Sequence, residues 1–244
     1  MLTQSILVIL LSLGLVSARP GVGEDSLNHY VDLVLDNLQI LIVENGLDPG
    51  PLPNSSVGFS DVILGVTWHG EAAVYDGWLR GIASIFRSGD ANFLRDGNGI
   101  INGISSGMGL GEMKGHYTCL AKFMDLGPIA EITVDVNGAK VYFEAALDRT
   151  TCRFHVSIME VTKIGHINID IKGLGPLNWI FEIVANLVVN IVKIFIKDTI
   201  EVSIQDLTNQ ILESIDLSAF GPLIGCNPAI QNPLIQPQVK NYIK

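Results

Sequence analysis

Residues 176–214 read PLNWIFEIVANLVVNIVKIFIKDTIEVSIQDLTNQILES and contain no glycine, and no proline after the first residue. Pro176 suits the first turn of a helix, and Gly221-Pro222 lies just past its end. Apolar residues recur at the i, i+3, i+4, i+7 spacing of a helical face: Ile180, Ile183, Val184, Leu187, Val188, Ile191, Ile194, Phe195, Ile204, Leu207, Ile211 and Ile215. The spacing predicts one long helix, or two nearly collinear helices, about 60 Å in length.

A membrane span over Ile180–Ile196 is the alternative interpretation of this apolar stretch. Glu182, Asn186, Asn190 and Lys193 recur at helical spacing and form one polar stripe, whereas a span keeps its polar groups rare and interior. The pattern therefore favours an amphipathic helix with an unusually wide apolar face. Such a helix is buried against protein, against a lipid ligand, or against both.

The N-terminus has the pattern of a secretory signal peptide. An apolar run over residues 6–16 is followed by the small residues Ser17 and Ala18, which suit a signal peptidase. We therefore expect residues 1–18 to be removed and residues 19–244 to form a single secreted, extracellular domain. No second span and no C-terminal anchor signal is recognisable, so integral membrane association is not expected.

The charge balance argues against one class of partner. The net charge is −10 at pH 7 and the pI is near 4.8, whereas nucleic acids and anionic membrane surfaces need a basic footprint. Binding of nucleic acid is therefore not expected. The chain is 48% hydrophobic and only 16% charged, which is more apolar material than an ordinary soluble surface requires. This excess favours a lipid-like ligand.

The rest of the chain predicts an N-terminal helix followed by strands. The helix begins at Asp25 or Ser26 and stops at Gly46. Its apolar positions are Leu27, Tyr30, Val31, Val34, Leu38, Leu41 and Ile42. Beyond a Pro-rich loop, β-branched and aromatic residues alternate between turn residues, which is typical of strands. The predicted strands are Val62–Leu79, Ile82–Arg87, Ala91–Arg95, Gly99–Leu110, Met113–Phe123, Ala130–Asp148 and Thr151–Lys172.

The last two predicted strands each change the parity of their apolar positions. In Ala130–Asp148 the change falls at 137–138, and in Thr151–Lys172 it falls within 160–166. A strand that keeps one face buried changes parity through an extra residue, which forms a β-bulge or a sharp bend. If the two strands pair through the turn at 149–150, both bends lie at about the same height. We therefore predict an α+β fold in which a long, strongly curved antiparallel sheet is wrapped around a long C-terminal helix, with an N-terminal helix.

The predicted groove between the helix and the bent sheet is apolar along its length. Strands of about 18–20 residues span roughly 60 Å, which matches the helix. We predict that a hydrophobic small molecule or lipid lies between the apolar face of the helix and the inner residues of the last two strands. For each aromatic residue by itself, filling the core is the alternative role. The predicted ligand-binding residues are Val141, Phe143, Phe154, Val156, Trp179, Ile183, Leu187, Ile191 and Phe195.

Secretion permits a disulfide, and the chain has three cysteines. The last predicted strand leaves the turn at 149–150 and the long helix runs back along it, so Cys152 and Cys226 return to the same neighbourhood. We predict a Cys152–Cys226 disulfide, with Cys119 as a buried free thiol in mid-strand. Asn54 begins an Asn-Ser-Ser acceptor in a loop, which predicts a glycosylation site.

Signals for catalysis and for metal binding are weak. The sequence GISSG at 103–107 matches a nucleophile elbow around Ser105, but the residues after it read as more strand, and the motif works only on a strand-to-helix turn. The five histidines show no metal-ligand spacing. His155 alternates with core residues and is expected to face solvent. We therefore predict that the protein is not an enzyme and needs no metal or cofactor.

Three short motifs and the order of elements resemble a known family. SGDAN at 88–92 follows a predicted strand, GLGPL at 173–177 leads into the long helix, and KDT at 197–199 lies near its middle. Over about residues 25–215 the chain resembles the mite group 7 allergens, and its element order is also that of insect juvenile-hormone-binding and Takeout-like proteins. The resemblance implies an arthropod source and a single-unit version of the fold found twice in bactericidal/permeability-increasing protein, with lipid or terpenoid ligands held between sheet and helix.

This resemblance carries over no catalytic residue. Juvenile-hormone binders have an N-terminal cysteine pair that closes the pocket mouth, whereas this chain has no cysteine before Cys119, which favours a general lipid or fatty-acid binder. The first hypothesis is a secreted carrier of a lipid, fatty acid or terpenoid. The alternative is an allergen-like protein of innate-immune type that binds bacterial lipid at loop tips near Leu52 or Phe59. An enzyme that uses Ser105 is the third hypothesis.

Overall fold

The structure is a computed structural model that describes residues 24–63, 65–123, 127–214 and 224–225. Within these residues, eleven strands form two antiparallel sheets, and three α-helices lie against them. The element order is a helix, the strands and a long helical stretch, as the sequence predicts. The α+β fold is therefore confirmed: a curved antiparallel sheet wraps around the C-terminal helix, and the N-terminal helix lies beside it.

Helix α1 spans Glu24–Glu44. It ends in a Schellman motif: the Leu47 N–H donates to the Ile42 carbonyl and the Gly46 N–H to the Val43 carbonyl, both at 3.0 Å. Gly46 has a left-handed φ of 70°, which explains why a glycine stops the helix there. The buried side of α1 follows the apolar spacing of the sequence and consists of Leu27, Val31, Val34, Leu35, Leu38 and Ile42.

Eleven described strands follow α1, and most of them match predicted strands. A 3₁₀ turn separates β3 from β4. The strand bounds are β1 Gly50–Leu52, β2 Ser55–Ile63, β3 Val66–Arg80, β4 Phe86–Arg87, β5 Asn92–Arg95, β6 Ile101–Leu110, β7 Met113–Phe123, β8 Ile129–Val136, β9 Ala139–Asp148, β10 Arg153–Ile164 and β11 Ile167–Lys172.

The first part of the sheet differs from the prediction. The segment predicted as one strand, Val62–Leu79, contains the turn of a β2–β3 hairpin, and Ile82–Arg87 is a 3₁₀ turn followed by the short β4. Apolar residues continue across the hairpin turn at Gly65, so alternation alone did not reveal it. Leu52 and Phe59, near which the alternative hypothesis places its loop tips, are buried in β1 and β2.

The strands belong to two sheets that share a bend. Sheet A has the order β1-β3-β7-β8-β11, with β2 also paired to β3, and sheet B has the order β10-β9-β6-β4, with β5 also paired to β6. β6 leads into β7, β8 into β9, and β10 into β11. Three neighbouring segments therefore cross from one sheet to the other, and the core lies on the inner side of the bend.

The backbones approach one another closely at this bend. The Gly165 N–H donates to the Gly138 carbonyl (2.8 Å) and the Asn137 N–H to the His166 carbonyl (2.9 Å), so the two predicted bends lie side by side. A Cβ atom on Gly138 would sit 2.5 Å from the Leu110 carbonyl oxygen of the third segment. Glycine is needed there because the neighbouring backbone leaves no room for a side chain.

The long helical stretch is continuous but not uniform. It consists of a 3₁₀ turn at Gly175–Ile180, helix α2 at Phe181–Asp198, a π-helical segment at Thr199–Ile204 and helix α3 at Gln205–Ser214. α2 packs mainly on strands of sheet A, whereas α3 packs on β10 of sheet B and on α1. The π segment therefore lies where the stretch passes from one sheet to the other. The buried stripe is Ile180, Val184, Val188, Val192, Ile196, Ile200 and Ile204.

The long helical stretch also has the length and composition of a candidate membrane span. Residues 175–214 are long and apolar enough to cross a membrane, with a mean hydropathy of 2.0 over 18 residues. In the fold, one stripe of this helix packs on the sheets, and the polar stripe of Glu182, Asn186, Asn190 and Lys193 is exposed. This arrangement is that of an amphipathic helix packed on protein.

Candidate functional site

A cleft lies inside the fold between α1, α3 and the inner face of sheet B. On the helices its residues share one helical face, and on the strands they alternate with outward side chains. The empty space is about 270 Å³ when the part open to solvent is included, whereas the enclosed part has room for about one water molecule. The described lining consists of Tyr30, Val31, Val34, Leu35, Ile104, Met108, Phe143, Thr208 and Leu212.

The described residues that line the cleft are apolar apart from Tyr30 and Thr208. The Thr208 hydroxyl donates to the Ile204 carbonyl (2.7 Å). The Tyr30 hydroxyl is buried and has no hydrogen-bond partner in the part of the chain that the structure describes, and burial raises the pKa of Tyr30 above its ordinary value. Because no acidic or basic residue is among these lining residues, the cleft is suited to apolar groups and not to acid–base chemistry.

The edge of α1 away from α3 is held by polar contacts. The Arg87 guanidinium donates to both carboxylate oxygens of Asp32, at 2.8 and 3.1 Å. Asn28 and Gln39 also hydrogen-bond backbone groups of the segment 85–91, each at 2.7 Å. The other edge of α1 packs on α3. One side of α1 is therefore fixed by hydrogen bonds, and the side that faces the cleft by apolar packing.

α3 and the π segment are joined to β10 at two irregular positions of that strand. The pairing of β10 with β9 shifts its register just after Val156 and just after Val161. The Val156 N–H donates to Asn209 Oδ1 (2.7 Å), and the Val161 N–H donates to the Glu201 carboxylate (3.1 Å). Because β10 is an edge strand of sheet B, these side chains satisfy backbone groups that strand pairing leaves open.

Four of the predicted ligand-binding residues lie together on the inner face of sheet B. Val141, Phe143, Phe154 and Val156 are all buried, with 2–6% of each exposed. Phe143 is also part of the cleft lining. The strand half of the predicted set therefore lies on the sheet that faces α3.

The helix half of the predicted set lies elsewhere. Trp179 is 43% exposed and packs edge-on against Phe59, with ring centroids 5.3 Å apart. The other four residues are partly buried on α2, which packs mainly on sheet A: Ile183, Leu187, Ile191 and Phe195. The two halves of the predicted set thus face different sheets and do not line one cleft.

Chain direction explains this division. β10 and β11 run from Arg153 to Lys172, and the helical stretch runs back along them, so α2 lies beside the end of that path and α3 beside its start. The helix residues nearest Phe143 and Val156 are therefore in α3. The predicted topology implies the same division, because it places the C-terminal end of the helix next to the turn before Cys152.

The remaining cleft residues were recognised only as members of a helix or strand. Tyr30 and Val34 were apolar positions of the N-terminal helix, and Ile104 and Met108 belonged to a predicted strand. Leu212 was not singled out. No local motif marks these residues as one site, because the cleft forms from segments that are far apart in the sequence.

Other predicted sites lie away from the cleft. Asn54 is exposed between β1 and β2, and Cys119 is buried and free in β7. Cys152 is buried just before β10, whereas Cys226 lies outside the described residues, so the predicted bridge stays a prediction. Ser105 lies inside β6 and pairs with strands on both sides, so it is not on a strand-to-helix turn.

Two further predictions concern the signal peptide and the histidines. The predicted signal peptide, residues 1–18, lies outside the described residues. His155 is exposed on β10, as its alternation with core residues predicts. Within the described ranges, no group of three or more His, Cys, Asp or Glu residues is placed to hold a metal ion.

Comparison with protein-family models matches residues 26–212 to the group 7 allergen model. This match covers most of the chain. The chain belongs to the group 7 allergen family. The family resemblance carried by the motifs at 88–92, 173–177 and 197–199 is thereby confirmed.

Two other comparisons concern individual known proteins and this group 7 allergen. One similar solved structure is that of lipopolysaccharide binding protein, with 17% sequence identity and a TM-score of 0.38. The likeness covers 78% of this chain and 37% of that chain, so this chain spans less than half the length of that protein. A direct sequence comparison with curated proteins finds no match.

Proposed function

We propose that this group 7 allergen binds a hydrophobic ligand, such as a lipid, fatty acid or terpenoid, in the cleft between its helices and sheet B. The observation that carries the proposal is the lining of the cleft. Four elements direct apolar side chains into one space, and the described lining residues include no charged one. Small-molecule sites are typically concave and mostly apolar, with few polar groups. Such binding uses no catalytic residue, so we propose a carrier or binding protein and not an enzyme.

The enclosed space is too small for an acyl chain, so binding requires α1 and α3 to separate. The described residues that both helices direct into the cleft are apolar apart from Tyr30 and Thr208. An entering hydrocarbon chain replaces their mutual contacts with similar apolar contacts, so little apolar surface meets water. Met108 supports this opening, because its unbranched side chain adapts to the shape of a neighbour.

Apolar surface outside the cleft supports a longer binding region. Four residues of α2 are only partly buried, and so are three isoleucines of β11, the edge strand that α2 contacts. Covering such surface stabilises a complex by about 25 cal/mol for each Å² removed from water. We therefore propose that the part of a long ligand that extends out of the cleft covers this surface. The residues are Ile183, Leu187, Ile191, Phe195, Ile167, Ile169 and Ile171.

Ligand binding is tested with the fluorescent probe N-phenyl-1-naphthylamine. Val34→Phe adds volume inside the cleft and is expected to weaken binding of the probe about tenfold, since overpacking costs about 1–3 kcal/mol. Val43→Phe is the matched control, because Val43 lies on the same helix but is 55% exposed, and it should leave binding unchanged. Circular dichroism checks that both variants fold.

Native mass spectrometry provides an independent measurement on wild-type protein from a eukaryotic secretory host. A co-purifying lipid is the expected result. A lipid-free protein that binds neither N-phenyl-1-naphthylamine nor added dodecanoic acid would contradict the proposal.

We further propose that the protein is secreted, with a Cys152–Cys226 bridge and a glycan on Asn54. The exposure of Asn54 and the packing of α3 on the strand that follows Cys152 support these assignments. Peptide mapping without reduction should recover Cys152 joined to Cys226, and Asn54→Gln should lower the mass of the secreted protein by that of one glycan. A bridge between Cys119 and Cys152 would refute the pairing.

A second candidate function is recognition of a bacterial lipid surface through a loop tip. Val62 and Val66 flank the β2–β3 turn and are 63% and 54% exposed. The β2–β3 turn extends beyond β7, because Phe123, the last residue of β7, pairs with Gly70 of β3. An exposed apolar pair at the tip of a hairpin favours contact with a lipid surface.

The tip is tested by co-sedimentation with vesicles that contain bacterial lipopolysaccharide. A Val62→Asp and Val66→Asp double variant is expected to lose binding to the vesicles. Val202→Asp is the control, because Val202 is 59% exposed on the π segment. If the tip alone binds the vesicles, the Val34→Phe variant should co-sediment with them at the wild-type level. Sedimentation of the double variant with the vesicles at the wild-type level would rule out this second function.

A further inference from the structure

Tyr30 lines the cleft and carries a hydroxyl that the described part of the fold does not use. This hydroxyl is buried without a hydrogen-bond partner among the described residues. By contrast, the hydroxyl of the fully buried Tyr117 is satisfied within the fold, since it donates to the Pro53 carbonyl (2.8 Å). A phenylalanine at position 30 would fill the same volume without leaving a buried donor unpaired, which proteins generally avoid. The hydroxyl is therefore explained by a group that enters the cleft.

The surroundings of Tyr30 define the chemistry of that group. Burial raises the pKa of Tyr30, so the hydroxyl keeps its proton at neutral pH and donates a hydrogen bond. The Thr208 hydroxyl already donates to the Ile204 carbonyl. No lysine, arginine or histidine is among the described lining residues, and burying an unpaired carboxylate is strongly unfavourable. The entering group must therefore be a neutral acceptor.

We propose that the Tyr30 hydroxyl anchors a neutral amphiphile between α1, α3 and sheet B: a long apolar chain that carries an ester, ketone or ether oxygen. This proposal rests on the proposed function, because it assigns the polar anchor and the ligand class of the same cleft. The ligand oxygen accepts the hydrogen bond from Tyr30, and the chain lies among the aliphatic side chains of the two helices. An ionised fatty acid is a poorer ligand, because its carboxylate finds no cation among the described lining residues.

The test compares three ligands of similar length on the secreted full-length protein. Methyl dodecanoate, tetradecane and dodecanoic acid at pH 8 each compete with N-phenyl-1-naphthylamine. The wild type should bind the ester about tenfold more tightly than the alkane, because one hydrogen bond in an apolar site is worth about this factor. Tyr30→Phe should remove this preference, so that the ester and the alkane bind with about the same affinity. Tyr142→Phe, at an exposed tyrosine of β9, is the matched control and should keep the preference.

The outcomes separate the anchor from the proposed function. If Tyr30→Phe retains the preference for the ester, the anchor is refuted while ligand binding in the cleft stands. If the wild type binds neither the probe nor any of the three ligands, the proposed function fails and the anchor fails with it.

Thermal unfolding of ligand-free protein tests whether the hydroxyl has a structural role instead. A hydroxyl that is bonded only by ligand predicts that Tyr30→Phe unfolds at the same or a higher temperature than the wild type. A clearly lower Tm would indicate a structural hydrogen bond, for instance to a buried water, and would overturn the proposal.

Discussion

Replacing Gly138 with alanine tests the bend on which the fold depends. Gly138 has a left-handed φ of 74°, which costs an L-residue about 1–2 kcal/mol. The new Cβ would also sit 2.5 Å from the Leu110 carbonyl oxygen, and overpacking of this kind costs about 1–3 kcal/mol. We therefore expect Gly138→Ala to lower the free energy of unfolding by about 2–5 kcal/mol.

Three other glycines separate the two contributions. Gly99 has a φ of 77° and nothing within 4 Å of its Cβ position, so Gly99→Ala should lose only the conformational part, about 1–2 kcal/mol. Gly165 has no left-handed φ, but its Cβ would overlap the Asn137 carbonyl, so Gly165→Ala should lose about 1–3 kcal/mol. Gly89 has neither feature, and Gly89→Ala should lie within about 0.5 kcal/mol of the wild type.

The measurement is equilibrium unfolding in urea, followed by far-UV circular dichroism and tryptophan fluorescence, with the free energy and the m-value fitted together. Equal m-values would show that the variants unfold from the same compact state. If Gly138→Ala were as stable as Gly99→Ala, the Cβ would have room at the bend, and the close approach of the three segments would be refuted.

Three further predictions concern the helix, one carboxylate and one thiol. Asn209→Ala leaves a backbone N–H of β10 without its acceptor and should lower the free energy of unfolding in urea by about 1–3 kcal/mol. Asn186→Ala, on the exposed face of α2, is the control and should have little effect. Equal losses in the two variants would contradict the role of Asn209. The Asp148 carboxylate accepts hydrogen bonds from the backbone N–H of Thr150 and from a neighbouring threonine hydroxyl, and these bonds lower its pKa. The stability that this carboxylate contributes is therefore present above the unfolded pKa of about 3.9 and is lost as the pH falls through the folded pKa. An NMR titration should find this pKa below that of a model peptide, and an ordinary value would contradict the turn geometry. Burial raises the pKa of Cys119 to about 11, so a thiol reagent at pH 8 should label Cys119 only in unfolded protein, and rapid labelling of the native protein would exclude its burial.

The bend was predictable because apolar alternation is a local property of a strand. The parity changes at 137–138 and 160–166 coincide with the breaks between β8 and β9 and between β10 and β11. The pattern does not reveal the β2–β3 turn at Gly65 for the same local reason, because apolar residues continue on both sides of it. A turn without a change in composition leaves no signal in the pattern of side chains.

Only part of the cleft was predictable. Phe143 was recognised because it points inward on a strand next to a helix. Leu187 was assigned to the same groove, but it lies on the half of the helical stretch that packs on the other sheet. In the sequence, Tyr30 is one more apolar position of the N-terminal helix. Whether its hydroxyl finds a partner depends on atoms from β6, β9 and α3, which no pattern within the helix describes.

By itself, the sequence determined the kinds of element, their order and the place where the sheet bends. These follow from residues two, three or four positions apart, whose side chains share one face of a strand or a helix. Only the tertiary structure decided which half of the long helical stretch faces which sheet, and that the Tyr30 hydroxyl is buried without a partner among the described residues. The physical reason is that packing and hydrogen bonding depend on distances between segments that are far apart in the chain, and the fold alone sets those distances.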